Sequence, residues 1–273
     1  MFAFLLCLLV WATLLFQAAT YLLWGYENRE QRRRGGGRQT LPAVVSWFGE
    51  WLALLLALLA WPVGLLPARR PTAAGDGSRP VVLIHGWGMN RASMALLAAR
   101  LRRDGRQTHA LNYSTLRAGN EDRARQVAAD LLRVCEQSGG GLVDVVAHSL
   151  GGIVVRAAAR NHGILAHLGN VVTLGSPHQG TALAEIFPLA TLRELRTDSP
   201  YLYRLGQEDT LAATVNVTSI RSDFDAGILP SDKAEYPGAL NITIDYVGHM
   251  SLLASRRVYQ LVQENLDAPP RQQ

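Results

Sequence analysis

Short apolar runs and amphipathic stretches alternate along the chain from about residue 80 onward. The short runs predict strands near residues 81–84, 107–111, 142–146, 170–174, 214–220 and 240–244. The amphipathic stretches predict helices near residues 91–103, 121–137, 149–161 and 251–266. Strands that alternate with helices are typical of a parallel sheet. The pattern therefore predicts an α/β fold with a mostly parallel sheet of about six strands and helices on both faces.

The N-terminal part of the chain carries two much longer apolar runs, at residues 2–24 and 44–66. The first has no charged residue and is long enough to cross a hydrocarbon core of roughly 30 Å. A signal peptide fits this run less well, because no basic segment precedes it and because the run continues past the small residues at which a signal peptide would be cleaved. The first run is therefore predicted to be an uncleaved transmembrane helix.

The second apolar run is interrupted by Glu50 and Pro62. We expect Glu50 to lie near one end of the crossing, where its carboxylate can reach the lipid headgroups. A second transmembrane helix is then predicted. The alternatives are a hairpin that lies in one leaflet and a helix that packs on the following domain.

Five arginines lie between the two runs, around three consecutive glycines: Arg29, Arg32, Arg33, Arg34 and Arg38. Under the positive-inside rule this loop stays in the cytoplasm. Both ends of the chain, including the domain, then lie outside the cytoplasm. Arg69 and Arg70 oppose that orientation. We expect a membrane anchor at residues 1–70, a linker at 71–79 and a domain at 80–268, in an integral protein of the plasma or inner membrane with an extracytoplasmic domain.

Charge and cysteine content exclude several classes of protein. The net charge of +5 comes from arginines that are scattered or lie beside apolar runs, which suits membrane headgroups better than nucleic acid. The two cysteines do not indicate a disulfide framework or a zinc site. Metal-binding and nucleotide-binding motifs are also missing from the sequence, so neither a metal nor a cofactor is expected.

The most informative segment is the run at residues 142–147, which ends at His148-Ser149-Leu150-Gly151-Gly152. An apolar strand, a serine between small residues and an immediate helix are typical of a nucleophile elbow. In the pattern G-x-S-x-G the first glycine is replaced here by Ala147, which is still small. Ser149 is therefore the candidate nucleophile.

Five segments together resemble the α/β-hydrolases of the lipase and esterase type. They read LIHGWG, AHSLGG, TLGSPHQG, SDFDAGILP and GHMSLL, and they follow the chain order serine, acid, histidine. Bacterial lipases and inositol-deacylase-like lipases are similar in these segments. The resemblance implies an α/β-hydrolase fold for the domain, and the two predicted apolar helices precede it. It also implies that the insertion at residues 181–209 forms a cap over the serine; the alternative is that the apolar residues of the insertion simply pack onto the sheet.

The resemblance also implies roles for individual residues. His249 is the expected base and Asp225 the expected acid, with Asp223 as the alternative acid in the same turn. The backbone N–H groups of Trp87 and Leu150 are expected to form the oxyanion hole. His148 and His178 are expected to line the substrate pocket.

The function that follows is a membrane-anchored serine hydrolase that cleaves carboxylic esters, above all lipid acyl esters, through an acyl-enzyme. Its partners are an apolar ester substrate and the membrane, with no nucleic acid. Two alternatives stay open: an acyltransferase that acts on a lipid alcohol with the same triad, and a non-catalytic hydrolase-like scaffold at the membrane.

Overall fold

The computed structural model of the protein describes residues 1–29, 40–67, 79–116, 119–187 and 189–271. The arginine loop beyond Arg29 lies outside the described residues. So does the predicted linker, except for Arg79.

The centre of the domain is a six-stranded sheet in which all neighbouring strands are parallel. The strands are β1 Val81–Ile84, β2 Thr108–Ala110, β3 Val143–His148, β4 Leu168–Leu174, β5 Asn216–Ser222 and β6 Leu240–Ile244. Their order in the sheet is β2-β1-β3-β4-β5-β6. The predicted parallel sheet of about six strands is confirmed.

Apolar side chains leave the central strands on both faces. In β1, Val82 and Ile84 join one buried cluster, while Val81 and Leu83 join the other. Helices α4 (Asn120–Gln137) and α5 (Leu150–Asn161) cover the first cluster. Helices α3 (Ala95–Arg103) and α9 (Arg256–Asp267) cover the second. Because both faces are covered, the central strands β1, β3 and β4 are buried throughout and largely apolar.

The last predicted helix begins later than the sequence pattern indicates. Residues Ser251–Leu253 form a short 3-10 turn, and α9 begins at Arg256. The hydroxyl of Ser255 accepts a hydrogen bond from the N–H of Val258 and caps the helix. The turn between β6 and α9 therefore belongs to the loop that carries His249.

Two long apolar helices precede the domain: α1 (Phe2–Glu27) and α2 (Thr40–Ala60). A 3-10 turn, Trp61–Leu65, continues α2, since Pro62 cannot extend an α-helix. Both helices are long and apolar enough to cross a membrane by length and composition. They pack on each other through hydrogen bonds from Gln17 to the carbonyl of Trp47 and from Trp51 to Thr13.

This helical pair, called the hairpin below, lies on the domain. In α1 the Tyr21 hydroxyl and the Trp24 indole donate to the carbonyls of Phe224 and Asp223, both at 3.1 Å. In the 3-10 turn that follows α2, the Trp61 indole donates to the carbonyl of Gly88 at 3.2 Å. The hairpin and the domain thus share one packed interface.

The insertion at residues 181–209 consists of three short pieces between β4 and β5. They are α6 (Leu183–Ile186), a 3-10 turn at Ala190–Leu195 and α7 (Pro200–Gln207), and a further short helix, α8 (Leu211–Thr214), follows them. Thr181 fixes the start of the insertion. Its hydroxyl donates to the carbonyl of Gly227 at 3.1 Å and accepts from the N–H of Leu229 at 3.0 Å.

Candidate active site

Ser149 lies at a sharp turn between β3 and α5, at the carboxyl edge of the sheet. Its φ of 54° and ψ of −125° are unusual for a residue other than glycine. Backbone strain of this kind persists where the surrounding structure enforces it, and it is common at active sites.

Small residues around Ser149 make this turn possible. A Cβ atom at Gly151 would lie 2.7 Å from the carbonyl oxygen of Ile84, and one at Gly152 would lie 2.3 Å from the Ser176 hydroxyl. Ala147 is completely buried. The small residues of the sequence motif are therefore required by close packing of β3 and α5 against neighbouring strands.

Asp225 and His249 form a hydrogen-bonded pair beside this turn. The Nδ1 atom of His249 lies 2.9 Å from Oδ2 of Asp225. The other carboxylate oxygen accepts the N–H groups of Gly227 at 2.7 Å and Ile228 at 3.1 Å. Because both oxygens have partners and the side chain is buried, the carboxylate is held in one orientation.

Asp223, the alternative acid, has a different place. Its carboxylate accepts the N–H of Tyr246 at 3.3 Å, and its carbonyl accepts the indole of Trp24. The structure therefore brings Asp225, and not Asp223, to the imidazole of His249.

The surroundings of His249 set its protonation. Burial alone would lower its pKa, but the charge and hydrogen bond of Asp225, together with the charge of Glu50, raise the pKa of His249 above its ordinary value. The ring is also tightly enclosed, since a Cβ atom at Gly227 would lie 2.6 Å from its Cγ atom.

The loop after β1 lies directly against the serine. A Cβ atom at Gly86 would lie 2.9 Å from the Cβ and 3.4 Å from the hydroxyl of Ser149. Trp87 follows, lines the same cavity and donates its indole N–H to Thr191 at 3.1 Å. Leu150 is the first residue of α5, where backbone N–H groups have no acceptor within the helix.

Two predicted pocket residues differ in their placement. His148 lines the cavity, and its ring lies tilted against that of His249 with centroids 4.7 Å apart. Its Nε2 atom donates to the carbonyl of His249 at 3.0 Å. Burial, reinforced by the nearby charge of His249, keeps the pKa of His148 well below its ordinary value. It is a neutral wall residue.

His178 does not line the cavity beside Ser149. Its ring is buried against Tyr236, with centroids 4.4 Å apart, and its Nε2 atom lies 3.0 Å from the Thr173 hydroxyl. The carbonyl of His178 accepts a hydrogen bond from Arg156. The histidine faces this buried polar cluster because the turn after β4 directs its side chain inward, away from Ser149.

Glu50 is a site residue that the sequence analysis placed incorrectly. It does not lie near a helix end but in the middle of α2, where it is only 6% exposed. Its two carboxylate oxygens accept the N–H groups of Met250 and Ser251, both at 2.7 Å. These residues follow His249 directly, so α2 holds the histidine loop. The sequence does contain a signal for this contact, because Glu50 is the only charged residue in an otherwise apolar run.

A cavity of about 560 Å³ connects these groups. Ser149, His249 and Trp87 form its floor together with other residues of the sheet edge. Apolar side chains of α1, α2 and the insertion form its walls, among them Leu9, Phe16, Leu54, Leu58, Leu183, Phe187 and Leu192. This volume is in the usual range of small-molecule sites, roughly 300–1,000 Å³. Across the described ranges, histidines, cysteines and acidic residues form no cluster that could hold a metal ion.

Comparison with known proteins places the chain in a family. A family model described as a domain of unknown function, DUF7379, matches residues 63–220, more than half of the chain. The chain belongs to the DUF7379 family. The matched region of this DUF7379 protein includes Ser149 and Trp87, whereas Asp225 and His249 follow it.

Similar proteins of known type are lipases. A triacylglycerol lipase from Burkholderia plantarii is 28% identical over 187 residues, which cover 64% of this chain and 48% of that protein. The DUF7379 chain thus spans about half the length of this curated relative.

Two solved structures are similar in fold. Mature lipase BlEst2 of Bacillus licheniformis has a TM-score of 0.62 at 18% identity and covers 74% of this chain and 96% of its own. Lipase B of Aspergillus fumigatus has a TM-score of 0.62 at 18% identity, and the match covers 75% of this chain and 56% of the lipase. The α/β-hydrolase fold that the sequence motifs implied is confirmed.

Proposed function

We propose that this DUF7379 protein is a membrane-associated serine hydrolase that cleaves carboxylic esters of lipids. One observation carries the proposal. Ser149, in a strained turn, lines an apolar cavity together with His249, whose imidazole is hydrogen-bonded to the buried carboxylate of Asp225. A serine needs a neutral imidazole as base and an acid that orients the imidazole, and these groups meet that requirement.

The proposed reaction begins with attack of the Ser149 hydroxyl oxygen on the ester carbonyl. His249 takes the hydroxyl proton, and Asp225 stabilises the imidazolium that forms. The N–H groups of Leu150 and Trp87 are proposed to stabilise the oxyanion. When the C–O bond breaks, His249 returns the proton to the leaving alcohol. Water then releases the acid from the acyl-enzyme by the same steps.

The substrate class follows from the walls of the cavity. Leucine and phenylalanine side chains from the hairpin and the insertion suit an acyl chain, and the insertion acts as the proposed cap. The name of the Burkholderia relative, a triacylglycerol lipase, is consistent with an acylglycerol-type ester. Within the described residues the cavity walls offer few polar side chains for a headgroup, among them Thr13, Gln17 and Thr20.

Membrane association is proposed from the two apolar helices. The orientation predicted from the arginine loop, with the domain outside the cytoplasm, depends on two complete crossings. The contacts of the hairpin with the domain favour a different arrangement.

The proposal is tested by hydrolysis of p-nitrophenyl esters of increasing chain length by the full-length protein in detergent. We expect the rate to rise with acyl length until the chain fills the cavity. The Ser149→Ala variant should lose at least about 10³-fold in kcat/KM, because the covalent step is removed. Equal hydrolysis by that variant, or none of any ester by folded wild-type protein, would contradict the proposal.

A further inference from the structure

We propose that the hairpin lies in the plane of a single membrane leaflet, with its outer face in the acyl region, and that the active-site cavity opens directly into that leaflet. This inference deepens the proposed function and rests on it only for the identity of the substrate. The occupant of the hairpin surface is the hydrocarbon of one leaflet.

The first argument is the length of contact between α2 and the domain. Ser46 donates to the carbonyl of Tyr246, Glu50 accepts from Met250 and Ser251, and the carbonyl of Gly64 accepts the side-chain amide of Asn112 at 2.7 Å. The α-helical part from Ser46 to Ala60 spans about 21 Å, and the 3-10 turn to Gly64 extends it by up to about 8 Å. That is close to the full hydrocarbon thickness of roughly 30 Å.

The first helix has a similar extent of contact. It reaches from Leu9, which lines the cavity, to Asn28, whose side-chain oxygen accepts the N–H of Ser231 at 3.4 Å. If either helix crossed the bilayer, the strand ends and polar loops of the domain would be immersed in hydrocarbon. Unsatisfied polar groups there cost several kcal/mol each, so a crossing is inconsistent with these contacts.

The second argument is the outer face of the hairpin, which is covered by exposed apolar side chains. In α1 they recur every seven residues at Leu8, Leu15 and Leu22, which are 50%, 66% and 78% exposed. In α2 the same spacing relates Val45, Leu52 and Leu59. Patches of this extent on a protein surface mark an interaction site. A helix with one face on the domain and one apolar face outward is suited to lie flat in a leaflet.

The third argument is the position of the cavity mouth. Phe16 and Leu189 line the cavity and are nevertheless 44% and 43% exposed, so they mark its rim. Phe16 belongs to the hairpin face, and its ring lies 6.1 Å from that of Phe187. Ile186, which is exposed, extends the apolar surface onto the insertion. The mouth is therefore continuous with the surface that faces the lipid, and an acyl chain can enter without passing through water.

The depth of the hairpin in a bilayer tests this arrangement directly. Single cysteines replace Leu8, Leu15 and Leu22 in the full-length Ser149→Ala protein, from which both native cysteines are removed by Cys7→Ser and Cys135→Ala, and carry an environment-sensitive fluorophore. The protein is reconstituted in phosphatidylcholine–phosphatidylglycerol vesicles, and depth is measured by quenching with lipids spin-labelled at different positions. Val45, Leu52 and Leu59 provide a second series on α2.

We expect all positions within one series to report similar, shallow depths. A crossing helix would separate Leu8 from Leu22 by about 21 Å along the membrane normal. A steady change in depth through the bilayer centre along either series would overturn the proposal. Fluorophores that remain in water throughout would overturn it as well. The serine is absent from this protein, so the outcome does not depend on whether the enzyme hydrolyses esters.

Entry of the substrate from the leaflet is tested by comparing the hydrolysis of soluble and vesicle-bound esters. Leu15→Glu places a charge on the hairpin face, where Leu15 does not line the cavity. We expect at least a tenfold loss of hydrolysis for a long-chain ester in vesicles and little change for a short soluble ester. Leu240→Glu is the matched control, because Leu240 is 58% exposed and begins β6 at the opposite end of the sheet.

An equal loss on both substrates, or no loss on vesicles, would contradict lateral entry. A protein that folds and binds vesicles but hydrolyses neither ester would instead contradict the proposed function and leave the depth result valid.

Discussion

The protonation of His249 depends on the carboxylate that faces its Nδ1 atom. Asp225 lies 2.9 Å away and raises the pKa of His249 more than burial lowers it. A general base acts only when it is deprotonated, so a raised pKa moves the acid limb of the pH–rate profile above the ordinary histidine value of about 6.5.

Replacing Asp225 tests this dependence. Asp225→Asn removes the negative charge, so the pKa of His249 should fall and the acid limb of kcat/KM should move to lower pH. The rate at neutral pH should drop by about 10²- to 10⁴-fold, since the imidazolium loses its stabilising charge. The measurement is the pH dependence of ester hydrolysis.

Asp223→Asn is the matched control, because Asp223 lies in the same turn but contacts the N–H of Tyr246. It should leave the acid limb in place. If the two variants exchanged these effects, the triad acid would be Asp223.

The sequence could place Ser149 and His249 at the site because local patterns mark the ends of their strands. It could not place Glu50, whose partners Met250 and Ser251 are 200 and 201 residues away in the chain. The turn that directs His178 into a buried polar cluster likewise depends on Arg156 and Tyr236, which only the tertiary fold brings together.

At the scale of elements, the contact between α2 and the histidine loop links the hairpin to the site. Gly248 makes this contact possible, since a Cβ atom there would lie 2.4 Å from a carboxylate oxygen of Glu50 and 2.6 Å from its Cβ atom. Helix and loop approach closely enough for two hydrogen bonds only because residue 248 lacks a side chain.

Gly248→Ala should therefore push α2 and the loop apart. We expect a loss of about 1–3 kcal/mol in the free energy of unfolding, as for overpacked sites, and a fall in esterase activity as His249 shifts. Thermal unfolding of the detergent-solubilised protein measures the first and ester hydrolysis the second.

Gly141→Ala is the control, because a Cβ atom there would meet nothing within 4 Å. Its stability should stay within about 0.5 kcal/mol of wild type. Equal effects of both alanines would mean that the close approach at Gly248 is unimportant.

Most elements could be predicted from periodicity, because the central strands β1, β3 and β4 are buried on both faces and largely apolar. The second apolar helix was predicted to run to residue 66, whereas α2 ends at Ala60 because Pro62 cannot continue the α-helix. The split between the turn Ser251–Leu253 and α9 was missed because the capping hydroxyl of Ser255 lies inside an otherwise periodic stretch.

At the scale of the whole molecule, the hairpin and the domain enclose the cavity together. Length and hydropathy of residues 2–24 and 44–66 predict helices that suit a membrane, but they are equally compatible with crossing it and with lying in it. The distinction depends on the inward face of α2, where Ser46 and Glu50 meet the domain. No local pattern in the sequence contains that information.

The central claim is that Ser149 is an activated nucleophile, and covalent labelling tests it most directly. The full-length protein in detergent is treated with a fluorophosphonate, and the modified peptide is identified by mass spectrometry. We predict a single adduct on Ser149, absent in Ser149→Ala and formed much more slowly in Asp225→Asn. Folded protein that takes up no label, or that carries it on another serine, would contradict the account.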